Sequence, residues 1–251
     1  MFLKERQDEI AATIEREGRV TVVALADRFD VSDDCIRKDL KALEGEGRLK
    51  RVYGGAISVV AAPERSVYKR LDTNTAEKRL IAEKAYAQIE DGQTVFLDIS
   101  TTNIELAKLL ATGGRRCIVV SNMIDVLQTL ASNPALTVLG TGGNVNLELN
   151  GFVGALTLST LRPMLFDIAF IGALGVDLES GAVTTFDADD GLVKSLVIEN
   201  ASRSLLVVDA HKFETHGSYR FASLSDLDDV VTDSPTPSVR RSLAKQGVAC
   251  L

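Results

Sequence analysis

The sequence predicts an α/β protein in two parts: a small helical N-terminal unit closed by a short antiparallel hairpin, and a larger unit built on a mostly parallel sheet. Three observations predict it. Apolar positions recur at helical spacing in three short blocks before Gly47; a stretch alternating apolar and basic residues then runs into Gly54-Gly55; and from Thr75 onward helical segments alternate with short, continuous apolar runs. With 251 residues, 45% of them hydrophobic and 25% charged, the chain is long enough for one large domain, or for one medium domain with a small one.

The first helix is expected over residues 2–17, with Ile10, Ala11 and Ile14 on its apolar face and Gly18 as its C′ residue. Thr21 then caps a second helix whose Val22, Leu25, Ala26 and Phe29 follow the i, i+3, i+4, i+7 pattern. After Asp30-Val31, Ser32 is placed to cap a third helix running to about Glu44, with Ile36, Leu40 and Leu43 buried. Residues 47–56 read as a two-stranded wing, and the second and third helices have helix-turn-helix spacing. Residues 58–75 lose periodicity and contain Pro63, so the expected organisation is 1–57, a linker over 58–75, and 76–251. In the last part strands are expected at 94–98, 117–120, 136–139, 167–171, 204–209 and 228–232. Runs such as Cys117-Ile118-Val119-Val120 and Leu205-Leu206-Val207-Val208 have no polar face, which points to a parallel sheet covered by helices on both sides.

Composition narrows the function. No run reaches the ~18 to 20 apolar residues of a membrane span, and the N-terminus lacks the apolar core of a signal peptide, so the protein is expected in the cytoplasm without membrane partners. Cys35, Cys117 and Cys250 have no metal-ligand spacing, and with only His211 and His216 beside them neither a metal site nor a cofactor is expected. The net charge of −7 argues against nucleic acid, but it conceals a local reversal: Arg37, Lys38, Lys41, Arg48, Lys50 and Arg51 stand against only Asp39, Glu44 and Glu46. The start of the third helix would enter the major groove, offering Ser32, Cys35, Arg37, Lys38 and Lys41, with Arg51 and Tyr53 contributed by the wing. Arg37 suits a bidentate contact to guanine, and the remaining cations suit phosphates.

Ligands of open parallel sheets bind beyond the carboxyl ends of the strands. There the chain has Asp98-Ile99-Ser100-Thr101-Thr102 leading into a helix, then Ser121 and Asn122, then Gly142 and Gly143 within Gly140-Thr141-Gly142-Gly143-Asn144, and Lys212 after the strand ending at Asp209. Hydroxyls and backbone N–H groups at a helix N-terminus suit a phosphate, although the same residue types also serve as plain helix caps.

Two strings carry a family resemblance. Leu25-Ala26-x-x-Phe29-x-Val31-Ser32-x-x-Cys35-Ile36-Arg37-Lys38-Asp39-Leu40-x-x-Leu43-Glu44, continued by Gly47, Leu49, Arg51 and Tyr53-Gly54-Gly55-Ala56, resembles the N-terminal signature of DeoR-type bacterial regulators. The strand-end series, with Lys78, Asp167-x-Ala169-Phe170-Ile171-Gly172 and Val231-Thr232-Asp233, resembles the DeoR-type sensor domain, which is similar in fold to ribose-5-phosphate isomerases. The resemblance implies a transcriptional regulator, a repressor of a carbohydrate or polyol operon that binds operator DNA and is relieved by a small phosphorylated sugar or polyol. It assigns the phosphate to Lys78, Ser100, Thr101 and Thr102, a sugar or phosphate contact to Lys212, and sugar contacts to Asp187 and Lys194. Two departures stand out: the family usually has threonine at Cys35, which leaves operator preference and a redox role open, and glycine at Ser100, which bears on the phosphate pose.

Two other classes compete. An active isomerase needs carboxylates, yet its acidic turn aligns with Ile171-Gly172-Ala173-Leu174-Gly175 and its catalytic glutamate falls near Lys194 by ungapped count, so binding without turnover is expected. A purely architectural DNA protein would use the second unit only to oligomerise. One winged helix offers little contact area, so a homo-oligomer is expected in any case, with the linker transmitting the effector signal.

Overall fold

The computed structural model describes residues 3–17, 19–52, 54–58 and 66–251. The roles read for Gly18, Tyr53 and Pro63 lie outside the described residues. The chain divides into two units, Met1–Pro63 and Glu64–Leu251.

In the first unit α1 (Leu3–Glu17), α2 (Val22–Phe29) and α3 (Asp33–Gly45) pack around a core of Ile10, Ile14, Leu25, Ile36, Leu40 and Leu43. Thr21 caps α2 by accepting from the Ala24 amide, and Asp30 ends it in the left-handed conformation (φ 52°), which short polar side chains tolerate. Ser32 then caps α3 by accepting from the Cys35 amide at 3.3 Å. The wing is larger than its two expected strands. Among the described residues, β1 (Arg19–Thr21) joins β2 (Leu49–Val52) and β3 (Gly55–Ser58) in a three-stranded antiparallel sheet ordered β1-β3-β2. A three-residue strand that merges into a helix cap leaves no alternation to read. Gly55 is required by close approach, because a Cβ there would lie 3.0 Å from Thr21 Cα and collide with the Val20 carbonyl.

The second unit begins with α4 (Val67–Leu71), α5 (Thr75–Tyr86), β4 (Thr94–Leu97), α6 (Thr101–Thr112), β5 (Ile118–Ser121), α7 (Ile124–Leu130) and β6 (Thr137–Gly140). It continues with β7 (Asn144–Asn146), β8 (Gly151–Val153), α8 (Ala155–Leu161), β9 (Ile168–Ile171), β10 (Gly175–Val176), β11 (Ala182–Thr185) and α9 (Ala188–Asn200). It ends with β12 (Ser204–Val207), β13 (Tyr219–Ser223), β14 (Asp229–Val231), α10 (Pro237–Lys245) and β15 (Ala249–Cys250). Among the described residues, the main sheet has seven parallel strands in the order β15-β14-β12-β9-β4-β5-β6. All six sequence-predicted strands are in it, each within one to two residues of its expected ends. Alternate residues serve opposite faces. Val95 and Leu97 join one core with Ile81, Ala107 and Val119, while Phe96 joins the other with Ile171, Val193 and Leu206. That double burial is why these strands are continuous apolar runs. From β4 the chain winds outward through β5 and β6, and from β9 it winds the other way, so the carboxyl ends of β4 and β9 flank the crevice where such sheets take ligands.

The stretch expected as a linker is only partly one. Ser58 closes β3, and α4 packs into the second unit: Val67 is fully buried in the sheet's core and its amide donates to the Glu148 carbonyl at 2.8 Å. A five-residue helix is too short to show a period. No helix among the described residues is long and apolar enough to cross a membrane.

Candidate functional site

On α3 the exposed side chains Arg37, Lys38 and Lys41 share a face, with Ser32 exposed at its start and Cys35 half-buried. Arg37 lies 3.7 Å from Asp33 in a pair that is mostly exposed on both sides, so little free energy holds it there. Arg51 is tied to the end of α3, its amide donating to Glu44 Oε1 at 2.8 Å and its guanidinium lying 3.9 Å from the same carboxylate. Asp39 faces inward. Arg6 Nε donates to its carboxylate at 2.7 Å and Gln7 Nε2 at 3.2 Å, while Arg6 Nη2 reaches Cys35 Sγ at 3.2 Å. An acid three residues after Ile36 on an apolar stripe was the sequence signal for this lock, and its partner on α1 could not be named from spacing alone.

In the second unit Ser100 caps α6, its Oγ accepting from the Thr102 amide at 3.2 Å, with Thr101 and Thr102 buried beside it. Behind this turn lies a fully buried charge cluster. Asp98 accepts from Asn103 Nδ2 at 2.7 Å, from the Gly172 amide at 3.0 Å and from Lys194 Nζ. Lys194 Nζ is also 3.4 Å from Asp190, whose other oxygen accepts from Thr185 Oγ1 at 2.9 Å. Burial pushes the Asp98 carboxyl up to about 6 against the pull of Lys194, and burial raises Asp190 as well. For Lys194 burial works to lower the pKa, but Asp190 and Asp98 outweigh it and hold the ammonium above its ordinary range. A Cβ on Gly172 would stand 2.6 Å from Ser100 Cβ, so only glycine lets the loop after β9 pass the cap of α6. The resulting cleft is lined by Arg70, Ser100, Gly172, Thr185, Asp190 and Lys194, among others.

Lys78, on α5, is buried and donates to the carbonyls of Arg70 and Thr73 at 2.5 Å each. Burial lowers its pKa to about 8, with the Asp209 charge pulling the other way. Lys212 sits in the 3-10 segment Ala210–Glu214 capped by Asp209, and burial lowers it too. Both lysines feel the charges of Asp209 and Arg70. Lys78 and Lys212, far apart in sequence, therefore share one neighbourhood of mixed charge, with the Asp209 carboxylate and Arg70 acting on both.

Ser121, Asn122, Gly142, Gly143 and Asp187, like Lys78 and Lys212, are not among the residues that line the cleft. Ser121 Oγ donates to the Leu97 carbonyl at 2.7 Å and accepts from the Met123 amide at 3.0 Å, holding its own turn. Asn122 Nδ2 donates to the Phe152 carbonyl at 3.1 Å. Gly142 and Gly143 take positive φ (64° and 125°) in the loop after β6, and Asp187 caps α9 while accepting from Asn146 Nδ2 at 3.1 Å. Sequence reasoning missed Arg70, which fell in the supposed linker, and Asp190, whose i, i+4 spacing from Lys194 was the available sign. Among the described residues no group of three or more His, Cys, Asp or Glu is placed to hold a metal ion.

Residues 6–61 match the model of the DeoR-like helix-turn-helix domain, and residues 73–234 match that of the DeoR C terminal sensor domain. The chain belongs to the DeoR family. It is a transcriptional regulator that joins a DNA-binding unit to a sensor domain. Among DeoR relatives, it is 32% identical to the lactose phosphotransferase system repressor of Lactococcus lactis subsp. lactis over 93% of this chain and 92% of that protein. It is 31% identical to the glycerol-3-phosphate regulon repressor of Escherichia coli strain K12 over 93% and 92%. It is 32% identical to a putative aga operon transcriptional repressor of Escherichia coli O157:H7 over 97% and 91%. Of solved structures, the tetrameric eIF2B-beta2-delta2 complex from C. thermophilum has a chain that aligns at a TM-score of 0.50 and 17% identity, covering 71% of this chain and 62% of that one, a likeness of fold. Ribose 5-phosphate isomerase a from Methanocaldococcus jannaschii aligns at 0.41 and 18% identity, over 56% and 55%.

Proposed function

We propose that this DeoR-family protein is a cytoplasmic repressor of a carbohydrate or polyol operon. It holds operator DNA through α3 and lets go when a phosphorylated sugar or polyol occupies the crevice beside β4 and β9. The observation that supports the reading is that Arg70 lines one cleft with Ser100, the cap of α6, while Lys78 and Lys212 lie near enough to Arg70 for its charge to act on both, which offers cations beside a helix N-terminus. The chain's similarity to repressors of a lactose phosphotransferase system and of a glycerol-3-phosphate regulon supports the same reading. A ligand shifts DNA affinity only if it binds one state better than the other, and a homo-oligomer on a repeated operator gives both states something to differ in.

Binding without turnover follows from the acids. Both oxygens of Asp98 are occupied by buried donors, Asp190 is shared between Thr185 and Lys194, and the loop after β9 reads Gly172-Ala173-Leu174. Both carboxylates face the Lys194 ammonium, which favours binding over proton abstraction from a substrate carbon.

The test is thermal shift against phosphorylated sugars and polyols beside their unphosphorylated forms, since a ligand of the native state raises the melting temperature. One phosphorylated compound should raise it while its parent alcohol does not; a panel without response refutes the reading. Lys212→Ala should leave operator binding unchanged and weaken that compound about ten- to a hundred-fold, as for the loss of one charge-assisted hydrogen bond. Because a bound phosphate favours the charged form of Lys78, affinity should decline as pH rises through about 8. On the DNA side, Arg37→Ala should weaken operator binding by about 1–3 kcal/mol and relax preference at one base pair, with melting unaltered. A uniform loss across sequences would make Arg37 a phosphate contact instead.

A further inference from the structure

Among the described residues the main sheet ends at β6, and its last two strands are unevenly covered. The register pairs Val119 with Val138 and Val120 with Leu139, so each pair shares a face. On the Val119 side Val138 packs into the core with Val126 of α7. On the Val120 side the cover stops short. Val120 is buried with Phe96 and with Leu161 of α8, but Leu139 is 41% exposed, and Ile118, two residues before Val120 on the same face, is 37% exposed. The start of α8 borders this gap: Thr157 Oγ1 donates to the Gly142 carbonyl at 2.8 Å, which fastens the helix to the loop leaving β6, and the neighbouring Leu156 is 66% exposed. Charge is missing from the same stretch. Residues 126–161 carry a single charged side chain, Glu148, in a chain that is 25% charged with a net charge of −7. The strand β6 itself, Thr137-Val138-Leu139-Gly140, has no lysine or proline of the kind that blocks pairing at an exposed edge.

We propose that this end of the sensor sheet is where a second copy of the chain docks, β6 against β6 about a two-fold axis, with Leu139 near the axis and Ile118 and Leu156 around it. Charge selects the occupant. DNA and anionic membranes are held by lysine and arginine, which the face lacks. Two copies that each carry −7 repel wherever their acids meet, and an uncharged patch is where they approach at least cost. A two-fold contact sets one patch against itself, so a face that is apolar and uncharged is complementary to its own copy. Two β6 edges running antiparallel also satisfy each other's free N–H and C=O groups. An interface of ordinary size takes roughly 20–30 residues a side, which calls on the edge, the loop after it and the start of α8 together. The inference rests on the homo-oligomer of the proposed function and adds the surface that makes it; it does not depend on the effector.

Sedimentation velocity on the full chain at micromolar concentration tests it. The parent should sediment as a dimer or a larger assembly. Leu139→Glu sets two carboxylates against each other across the axis and should weaken that association about a hundred-fold, and Leu139→Lys should do the same. An equal mixture of the two variants pairs opposite charges and should associate again, a recovery that a misfolded chain cannot give. Leu80→Glu, at a similarly exposed position on α5 across the sheet, should associate like the parent. If Leu139→Glu assembles as tightly as the parent, if the mixture stays dissociated, or if Leu80→Glu dissociates equally, the inference is overturned and the homo-oligomer is held by another surface. If the parent itself is monomeric, the inference falls together with the homo-oligomer, and the face belongs to a partner of different sequence.

Discussion

Lys194→Met is expected to lower the stability of the sensor domain by about 3–5 kcal/mol, because it removes the one cation between two buried carboxylates and leaves both unpaired. The sign of its pH dependence is the diagnostic. Asp98 already stands near 6 in the intact cluster, above the ~3.9 of an unfolded aspartate. A carboxyl raised in this way binds its proton more tightly in the folded chain, so its contribution to stability falls as pH rises from about 4 to about 6. Without Lys194 both acids rise further and that window widens upward. The variant should therefore regain melting temperature between pH 7 and pH 5, where most proteins begin to lose it. Asp98→Asn combined with Lys194→Met removes one of the two stranded charges and should recover part of the loss. Equal melting of Lys194→Met and the parent at pH 7 would mean that the cluster contributes nothing net.

That cluster also marks where reading the sequence runs out. The helices around Leu25 and Leu40 and the strands around Phe96, Val119 and Leu206 were legible because burial on one face or two writes a period or an unbroken apolar run into the chain. The small sheet β10-β11-β13 and the hairpin β7-β8 left no such trace. Their strands run from two to five residues, and β8 and β10 begin at Gly151 and Gly175. At the candidate site, position after a strand singled out Ser100, which lines the cleft, whereas Lys78 was named only through the family resemblance. The site was not legible where similar turns serve different ends. Ser100 follows a strand, Ser121 ends one, and both accept an amide two residues on, yet Ser100 lines the cleft while Ser121 also donates its hydroxyl to Leu97 within the sheet. Local sequence does not distinguish a cap that faces ligand from one that faces the chain. Arg6 was missed for a related reason: a buried cation is identified by its partners, which lie on other elements.

The second large effect is expected in the DNA-binding unit. Arg6→Ala leaves Asp39, itself buried on α3, with only the amide of Gln7, and breaking a buried pair in this way costs about 3–5 kcal/mol. A unit of this size draws only about that much from its core, so the variant should lose the fold of the N-terminal unit and all operator binding. Hydrogen exchange would show amides of α3 unprotected while those of β4 and β9 remain protected. Asp39→Asn should be milder if amide donors and acceptors can be reshuffled, but it still strands the Arg6 charge. Cys35→Thr, which restores the residue the family usually has, keeps an acceptor for Arg6 Nη2 and should leave melting within about 0.5 kcal/mol of the parent. Thus a change in operator preference by Cys35→Thr reports on DNA contact alone, whereas loss of binding by Arg6→Ala reports on the scaffold that aims α3. Arg6→Ala that still melts and binds like the parent would show that the core of the unit holds α3 without this lock.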